Sequence, residues 1–400
     1  VNELGFPRNM PALMKQFFYR LSFLKLFPMR LIALLLISAA AVAQSAPLSQ
    51  QSNTTESLRG VSAVSRKIAW ASGTHGTYLR TVDGGTTWIA AQVPDAIALD
   101  FRAVVAFDAD EAFLMSSGTG DQSRIYHTTD AGQHWQTQFT NTNPKGFFDS
   151  LVFWDRTHGI ALGDPVPDES GQLKFELLLT DDGQNWHAIP PSQLPPAIEG
   201  EGAFAASNTC IAILPAPDGN IWFATGKAAR VFHSPDHGKT WQVFETPLPH
   251  GPDTAGIFSI AFRDGRHGVI AGGDYKRPND DGPNLAFTED GGKSWALSKV
   301  HPLAFFGAAA YDRRVNATAL REQAAEAQAE SGGKKKHFKA VPPQRIFLIG
   351  QDFIFDFRPP ANPSRISPDK KSEIKFNAAS SYPEGGALIV GPKGTIASIP

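Results

Sequence analysis

Thr288-Glu-Asp-Gly-Gly-Lys-Ser-Trp295 is the stretch whose reading decides the fold. It recurs as Thr81-Val-Asp-Gly-Gly-Thr-Thr-Trp88, Thr129-Asp-Ala-Gly-Gln-His-Trp135, Thr180-Asp-Asp-Gly-Gln-Asn-Trp186 and Ser234-Pro-Asp-His-Gly-Lys-Thr-Trp241. Each copy has the chemistry of a tight turn. The Asp side chain can accept hydrogen bonds from backbone N–H groups one or two residues on. A Gly follows and supplies a positive φ without steric cost. The Trp starts the return strand and can pack its ring under the hairpin. The flanking runs alternate as strands do, for example Arg124-Ile-Tyr-His-Thr128 before the second copy and Trp135-Gln-Thr-Gln-Phe139 after it. The motif therefore reads as a hairpin staple. Asp83, Trp88, Asp130, Trp135, Asp182, Trp186, Asp236, Trp241, Asp290 and Trp295 are structural residues on this reading.

The five Asp residues are spaced by 47, 52, 54 and 54. A period near fifty with short strands in each unit points to an all-β β-propeller, and counting units through the last strands of the chain makes it a seven-bladed β-propeller. Ser367-Pro-Asp369 looks like a worn sixth copy, 79 residues after Asp290, which implies an insertion. Five stretches of small or β-branched residues suit innermost strands: Val61–Val64, Phe101–Phe107, Phe148–Phe153, Ala203–Ala206 and Phe258–Phe262. After Trp295 the rhythm breaks. Residues 313–331 are rich in Ala, Glu and Gln and favour a helix. Residues 308–342 are accordingly expected to be a helical and basic insertion in the sixth blade. The last unit offers three strands, at Phe376–Ala379, Gly386–Gly391 and Gly394–Ile399. The segment 44–57 would supply its fourth and remove an exposed edge. The propeller is expected to span 44–400.

Met29-Arg30 followed by Leu31–Ile37 and Ala41-Val-Ala43 has the layout of a secretory signal. Residues 1–43 are read as that signal with an extended basic start, cleaved after Ala43, which predicts a periplasmic or secreted protein. Cys210 is the sole cysteine, so no intrachain disulfide forms. The chain without 1–43 carries 32 basic and 38 acidic residues. That balance argues against non-specific nucleic-acid binding. No membrane span is expected after cleavage, and a monomer is expected. The 11 His show no ligand spacing, and there is no phosphate loop or dinucleotide fingerprint. No metal and no cofactor is expected.

The repeated turns resemble the Asp-box, or BNR, repeat of sialidase-like β-propellers. Within that superfamily the chain resembles the photosystem II stability/assembly factor-like group. The likeness rests on Leu58-Arg-Gly60, Ala69-Trp-Ala-Ser-Gly73, the five boxes and Val390-Gly-Pro-Lys-Gly394. The resemblance implies a non-catalytic, protein-binding assembly scaffold, with the boxes on the outer hairpins away from the ligand. The sialidase Arg-Ile-Pro motif is absent at Leu58-Arg-Gly-Val61, which argues against that activity. A secreted glycoside hydrolase using loop carboxylates, with a glycan as ligand, is the alternative. Candidate binding residues lie where inner strands begin or inner hairpins end: Arg59, Arg102, Asp149, Asp164, Glu201, Ser259 and Asn377. Arg59 and Arg102 occupy matching positions in successive units, and Arg suits bidentate capture of a carboxylate or phosphate. The competing expectation is that each arginine simply pairs with a neighbouring carboxylate, and that the acids cap turns.

Overall fold

The computed structural model describes residues 47–215, 217–300, 304–314, 344–359, 363–366 and 374–400. Among them the chain forms seven four-stranded antiparallel sheets, six of them running outward from an innermost strand in chain order. Blade 1 is Leu58–Ala63, Ala69–Gly73, Thr77–Thr81 and Ile89–Gln92; blade 2 is Phe101–Ala106, Ala112–Ser116, Arg124–Thr128 and Gln136–Thr140. Blade 3 is Phe148–Phe153, Gly159–Pro167, Leu173–Thr180 and His187–Ala188; blade 4 is Ile211–Ile213, Ile221–Ala224, Arg230–Ser234 and Gln242–Glu245. Blade 5 is Ala255–Phe262, Gly268–Asp274, Leu285–Thr288 and Ala296–Leu297; blade 6 is Ala308–Tyr311, Ile346–Ile349, Ile354–Phe357 and Ser364–Arg365. Blade 7 is Ala378–Ser381, Ala387–Gly391 and Thr395–Ile399. Its outermost strand is Leu48–Gln50, paired antiparallel with Thr395–Ile399 through Leu48↔Ser398 and Gln50↔Ile396. The all-β, seven-bladed propeller read from the repeat is the fold observed.

Two expectations are corrected. Ala203–Ala206 is not the innermost strand of blade 4; that strand is Ile211–Ile213. Residues 203–206 lead into Asn208, whose side chain takes a strand's place instead. Asn208 accepts from the Leu151 N–H at 2.8 Å and donates to the Leu151 carbonyl at 2.9 Å. Likewise the expected insertion does not begin at 308, because Ala308–Tyr311 is the innermost strand of blade 6. Ala308 and Ala309 are buried at the crowded hub, and packing there overrides their helix propensity. The remaining insertion and the worn copy at Ser367–Asp369 lie outside the described residues.

Seven apolar clusters hold the blades, and each spans two neighbours. One of them joins Leu58, Leu79 and Trp88 of blade 1 to Leu388, Val390 and Ile396 of blade 7. At the hub, serines on innermost strands accept backbone N–H groups from the next blade. Ser380 takes Ala63 at 3.1 Å, Ser62 takes Ala106 at 3.0 Å and Ser259 takes Ala309 at 2.9 Å. Gly60 is required by the closeness of this packing. A Cβ there would stand 2.7 Å from Ser72 Oγ and 3.0 Å from the Arg102 carbonyl.

The repeated turns link the third and fourth strands of blades 1 to 5. They work as staples, by a reach longer than one or two residues. The Asp83, Asp130, Asp236 and Asp290 carboxylates accept the N–H four residues on, at 2.8–2.9 Å. The third copy is one residue shorter, and Asp182 accepts from Gln184 and Asn185 instead. The hydroxyl that counts is two residues before the Asp. In the second copy it is Thr128, not Thr129, at 2.9 Å from Asp130. The His134 N–H and ring draw the Asp130 carboxyl down to about 2. At Asp236 burial opposes, but the Thr240 hydroxyl and N–H still pull the carboxyl below its usual value. Stability from these carboxylates is present above the unfolded value near 4 and is lost as pH falls through the lowered values. Asp236→Ala is expected to lower the unfolding free energy by about 1–2 kcal/mol at pH 7. Urea denaturation at pH 7 and pH 3 checks this, and the gap between variant and wild type should shrink at the lower pH.

Candidate functional site

The turns occupy one face of the ring, and the starts of the innermost strands lie on the other. On that second face four innermost strands carry a β-bulge at equivalent places. Pairing skips one residue between Leu58 and Gly60, Phe101 and Ala103, Phe148 and Ser150, and Ile257 and Ser259. The unpaired residues are Arg59, Arg102, Asp149 and Phe258. A bulge frees a residue from the ladder and re-aims its side chain. The bulges therefore gather two guanidiniums, a carboxyl and an aromatic ring at one mouth, where Asp149 and Phe258 are buried.

The polar groups there are incompletely paired. Asp100, in the loop before blade 2, accepts from Arg102 Nε at 2.8 Å and sits 4.0 Å from Arg59 Nε. Both arginines thus share one carboxylate, as the competing expectation held. Arg59 Nε, Asp100 Oδ1, Asp149 Oδ2, Glu176 Oε2 and Asn141 Nδ2 are buried with no hydrogen-bond partner among the described residues. Burial, then the nearby Arg102, lowers the Arg59 guanidinium from its usual value. Burial and the neighbouring Asp164 raise Asp149 well above the carboxylate range. Asp164 is pushed up to about 6 by burial, reinforced by Glu176 and opposed by the Ala203 N–H it accepts. Unpaired buried polar atoms are uncommon in folded proteins, and bound water is one common way of satisfying them.

Asp164 gives a pH signature of opposite sign to the turns. Its folded value lies above its unfolded one, so the folded state holds more protons between about pH 4 and 6. Its favourable contribution is complete below pH 4 and is lost as pH rises through about 6. Asp164→Asn keeps an acceptor for the Ala203 N–H but removes the charge. It is expected to raise the melting temperature by about 2–5 °C at pH 7.5 and to leave it unchanged at pH 4. Calorimetry at the two pH values checks this.

Of the residues expected here, Arg59, Arg102, Asp149 and Asp164 gather at the mouth. The other three serve the fold. Glu201 is buried and accepts from Arg230 Nε at 3.0 Å, Thr225 Oγ1 at 2.8 Å and the Ile198 N–H at 3.0 Å, with a second bond from Arg230 Nη2. Ser259 is the hub serine already described. Asn377 Nδ2 donates to the Leu58 carbonyl at 2.7 Å, tying blade 7 to blade 1. Phe258 was missed. It is the blade 5 counterpart of Arg59, Arg102 and Asp149, one residue before Ser259, and only the strand pairing reveals it. A shallow depression lined by Thr119, Asp121, Thr140, Asn141, Thr142 and Pro144 opens on the same face, beside blade 3.

The ring and its mouth can now be set against known structures. The chain is similar in fold to YCF48. A structure described as YCF48 bound to D1 peptide matches with TM-score 0.59 and 16% identity, covering 90% of this chain and 96% of that one. YCF48 from Cyanidioschyzon merolae matches with TM-score 0.55 and 15% identity, covering 89% and 98%. The WD40 propeller domain of Doa1 matches with TM-score 0.54 and 9% identity, covering 89% and 96%. No protein-family model and no curated protein sequence matches the chain. Identities this low show the propeller and leave the ligand to the site. Among the described residues no group of three or more His, Cys, Asp and Glu is placed to hold a metal, and no helix is long and apolar enough to cross a membrane.

Proposed function

We propose that this propeller is a non-catalytic scaffold that binds a segment of a partner protein on the bulge-bearing face. It acts outside the cytoplasm, as the leader at 1–43 suggests, with its repeated turns as Asp-box staples on the opposite face. The observation that carries the reading is the set of four equivalent bulges, which place Arg59, Arg102, Asp149 and Phe258 at one mouth. Guanidiniums, a carboxyl and an aromatic ring together suit a polypeptide, which offers carbonyls, N–H groups and side chains in alternation. The fold shared with a YCF48 structure bound to a peptide supports it. Arg59→Glu with Arg102→Glu is expected to abolish capture of the partner from cell extract, whereas Asp236→Ala on the other face keeps it. Retention by the double variant would sink the reading.

A glycoside hydrolase is the second reading, favoured by the raised carboxyls of Asp149 and Asp164. Asp149 is only 1% exposed, however, and a sugar cannot reach it as the chain is folded. Turnover on a panel of glycans would decide for the enzyme.

A further inference from the structure

The segment from Gly202 to Ser207 forms no strand and is half-buried along most of its length. It leaves blade 3 and crosses the mouth before blade 4 begins. The Ala203 N–H donates to Asp164 Oδ1 at 2.8 Å, and the Ala205 N–H faces Asp149. The Ala205 carbonyl accepts from Arg102 Nη1 of blade 2 at 3.1 Å. Between them the Phe204 ring stacks on Phe258 of blade 5, with centroids 3.7 Å apart and planes 9° from parallel. Ser207 Oγ donates to the Gly307 carbonyl beside blade 6 at 2.9 Å. Ala205 and Ser207 are buried.

The backbone carries no turn from Gly202 to Phe204 and then turns at Ala205–Ala206, where the Ala206 N–H donates to the Phe204 carbonyl at 2.7 Å, and its Ala203 and Ala205 N–H groups face the mouth's carboxyls. Here two such N–H groups meet two carboxyls, a carbonyl meets a guanidinium and the intervening side chain meets an aromatic ring. Three of the four bulge residues thus already meet the strap, and only Arg59, which faces Asp100, does not. We propose that the mouth is a backbone-reading clamp for a peptide segment with an aromatic residue between small ones, and that Gly202–Ser207 occupies it in cis as an autoinhibitory strap. The inference deepens the protein-binding reading by naming the partner's chemistry: a competing segment offers the same alternation of N–H, aromatic side chain and carbonyl. An anionic group on that segment would meet Arg59.

The probe is a fluorescein-labelled synthetic peptide, Gly-Glu-Gly-Ala-Phe-Ala-Ala-Ser-Asn, the sequence of residues 200–208. The full chain carrying Ala203→Gly, Phe204→Ser, Ala205→Gly and Ala206→Ser keeps the strap's length, loses its stacked ring and makes its backbone costlier to order in the mouth. Fluorescence anisotropy should show saturable binding to this variant and at least about ten-fold weaker binding to wild type, whose clamp is filled. The same peptide with its Phe replaced by Ala should not bind. No binding to the folded variant, or equal binding to variant and wild type, overturns the clamp. Should the fourfold variant not fold, Phe204→Ala serves. Its amide exchange at Ala203 and Ala205 should quicken at least about ten-fold relative to wild type, with the turn at 288–295 unchanged, and unchanged exchange at 203 and 205 overturns the strap. Partner capture through Arg59 and Arg102 is read separately, so failure here leaves the scaffold reading standing.

Discussion

Glu201→Ala is expected to lower the unfolding free energy by about 3–5 kcal/mol, among the largest effects of any single substitution in this chain. The Glu201 side chain is 0% exposed and that of Arg230 is 9% exposed. Arg230 holds this carboxylate with two of its guanidinium nitrogens. It also donates to the Pro196 carbonyl at 3.1 Å and lies over the Phe232 ring at 5.2 Å, so it cannot swing out to water without breaking further contacts. Truncating Glu201 therefore strands a buried cation and removes the acceptor of Thr225 and of the Ile198 N–H. The same carboxylate fixes the chain just before Gly202, so the strap loses its footing as well. The urea midpoint should fall by about 1–1.5 M for a slope at the upper end of the usual range. Glu201→Ala combined with Arg230→Met should recover most of the loss, because the cost lies in the unpaired charge and not in the missing pair. A double variant as unstable as the single one would show that packing, not charge, dominates.

The ring was legible from sequence because its staple is local. Thr81 to Trp88 closes on itself through bonds spanning two to four residues, and a motif that compact survives in the linear order five times over. The blade count needed the five spaced turns together with the three strands at the end of the chain and the segment before Leu58. What crosses between blades has no such signature. Arg230 lies 29 residues from Glu201, on a strand whose alternation says nothing of a buried acid opposite it. Glu201 therefore reads as a loop carboxylate until its partner is seen. The mouth was half legible. Arg59 and Arg102 match because their bulges fall at the same place after an apolar residue, and Asp149 matches for the same reason. A bulge shifts register by one, and without the pairing that shift is invisible, so the blade 5 position was read as Ser259 instead of Phe258. The strap was misread outright. Ala203-Phe-Ala-Ala206 has the composition of an innermost strand, and only the side chains awaiting it, Asp164, Asp149, Arg102 and Phe258, turn it into a guest of the mouth. Small residues flanking an aromatic suit both environments, so composition could not separate them.

Trp222→Ala is expected to cost about 3–5 kcal/mol, and its effect should appear in a blade other than its own. Trp222 belongs to the second strand of blade 4 and is fully buried. Its ring lies between His233, with centroids 5.0 Å apart, and Phe262 of blade 5, at 3.7 Å and 11° from parallel. Its Nε1 donates at 2.8 Å to the carbonyl of Gly291, inside the stapled turn of blade 5. The turns are thus not only staples of their own hairpins. Tyr78 of blade 1 reaches the Gly132 carbonyl at 2.8 Å, and Gln138 of blade 2 reaches the Gly183 carbonyl at 2.9 Å, so preceding blades repeatedly grip the next turn. Removing the indole empties the space between two rings and leaves the Gly291 carbonyl without its donor, which adds about 1 kcal/mol to the cavity term. Trp222→Phe keeps a ring in the stack and loses the donor, and should cost about 1–2 kcal/mol. Hydrogen exchange at residues 288–295 should quicken in both variants, more in the Ala one, while the turn at 81–88 keeps its protection. Uniform loosening of all five turns would mean that the blades unfold as one unit, and that Trp222 is a core residue and not a pin between neighbours.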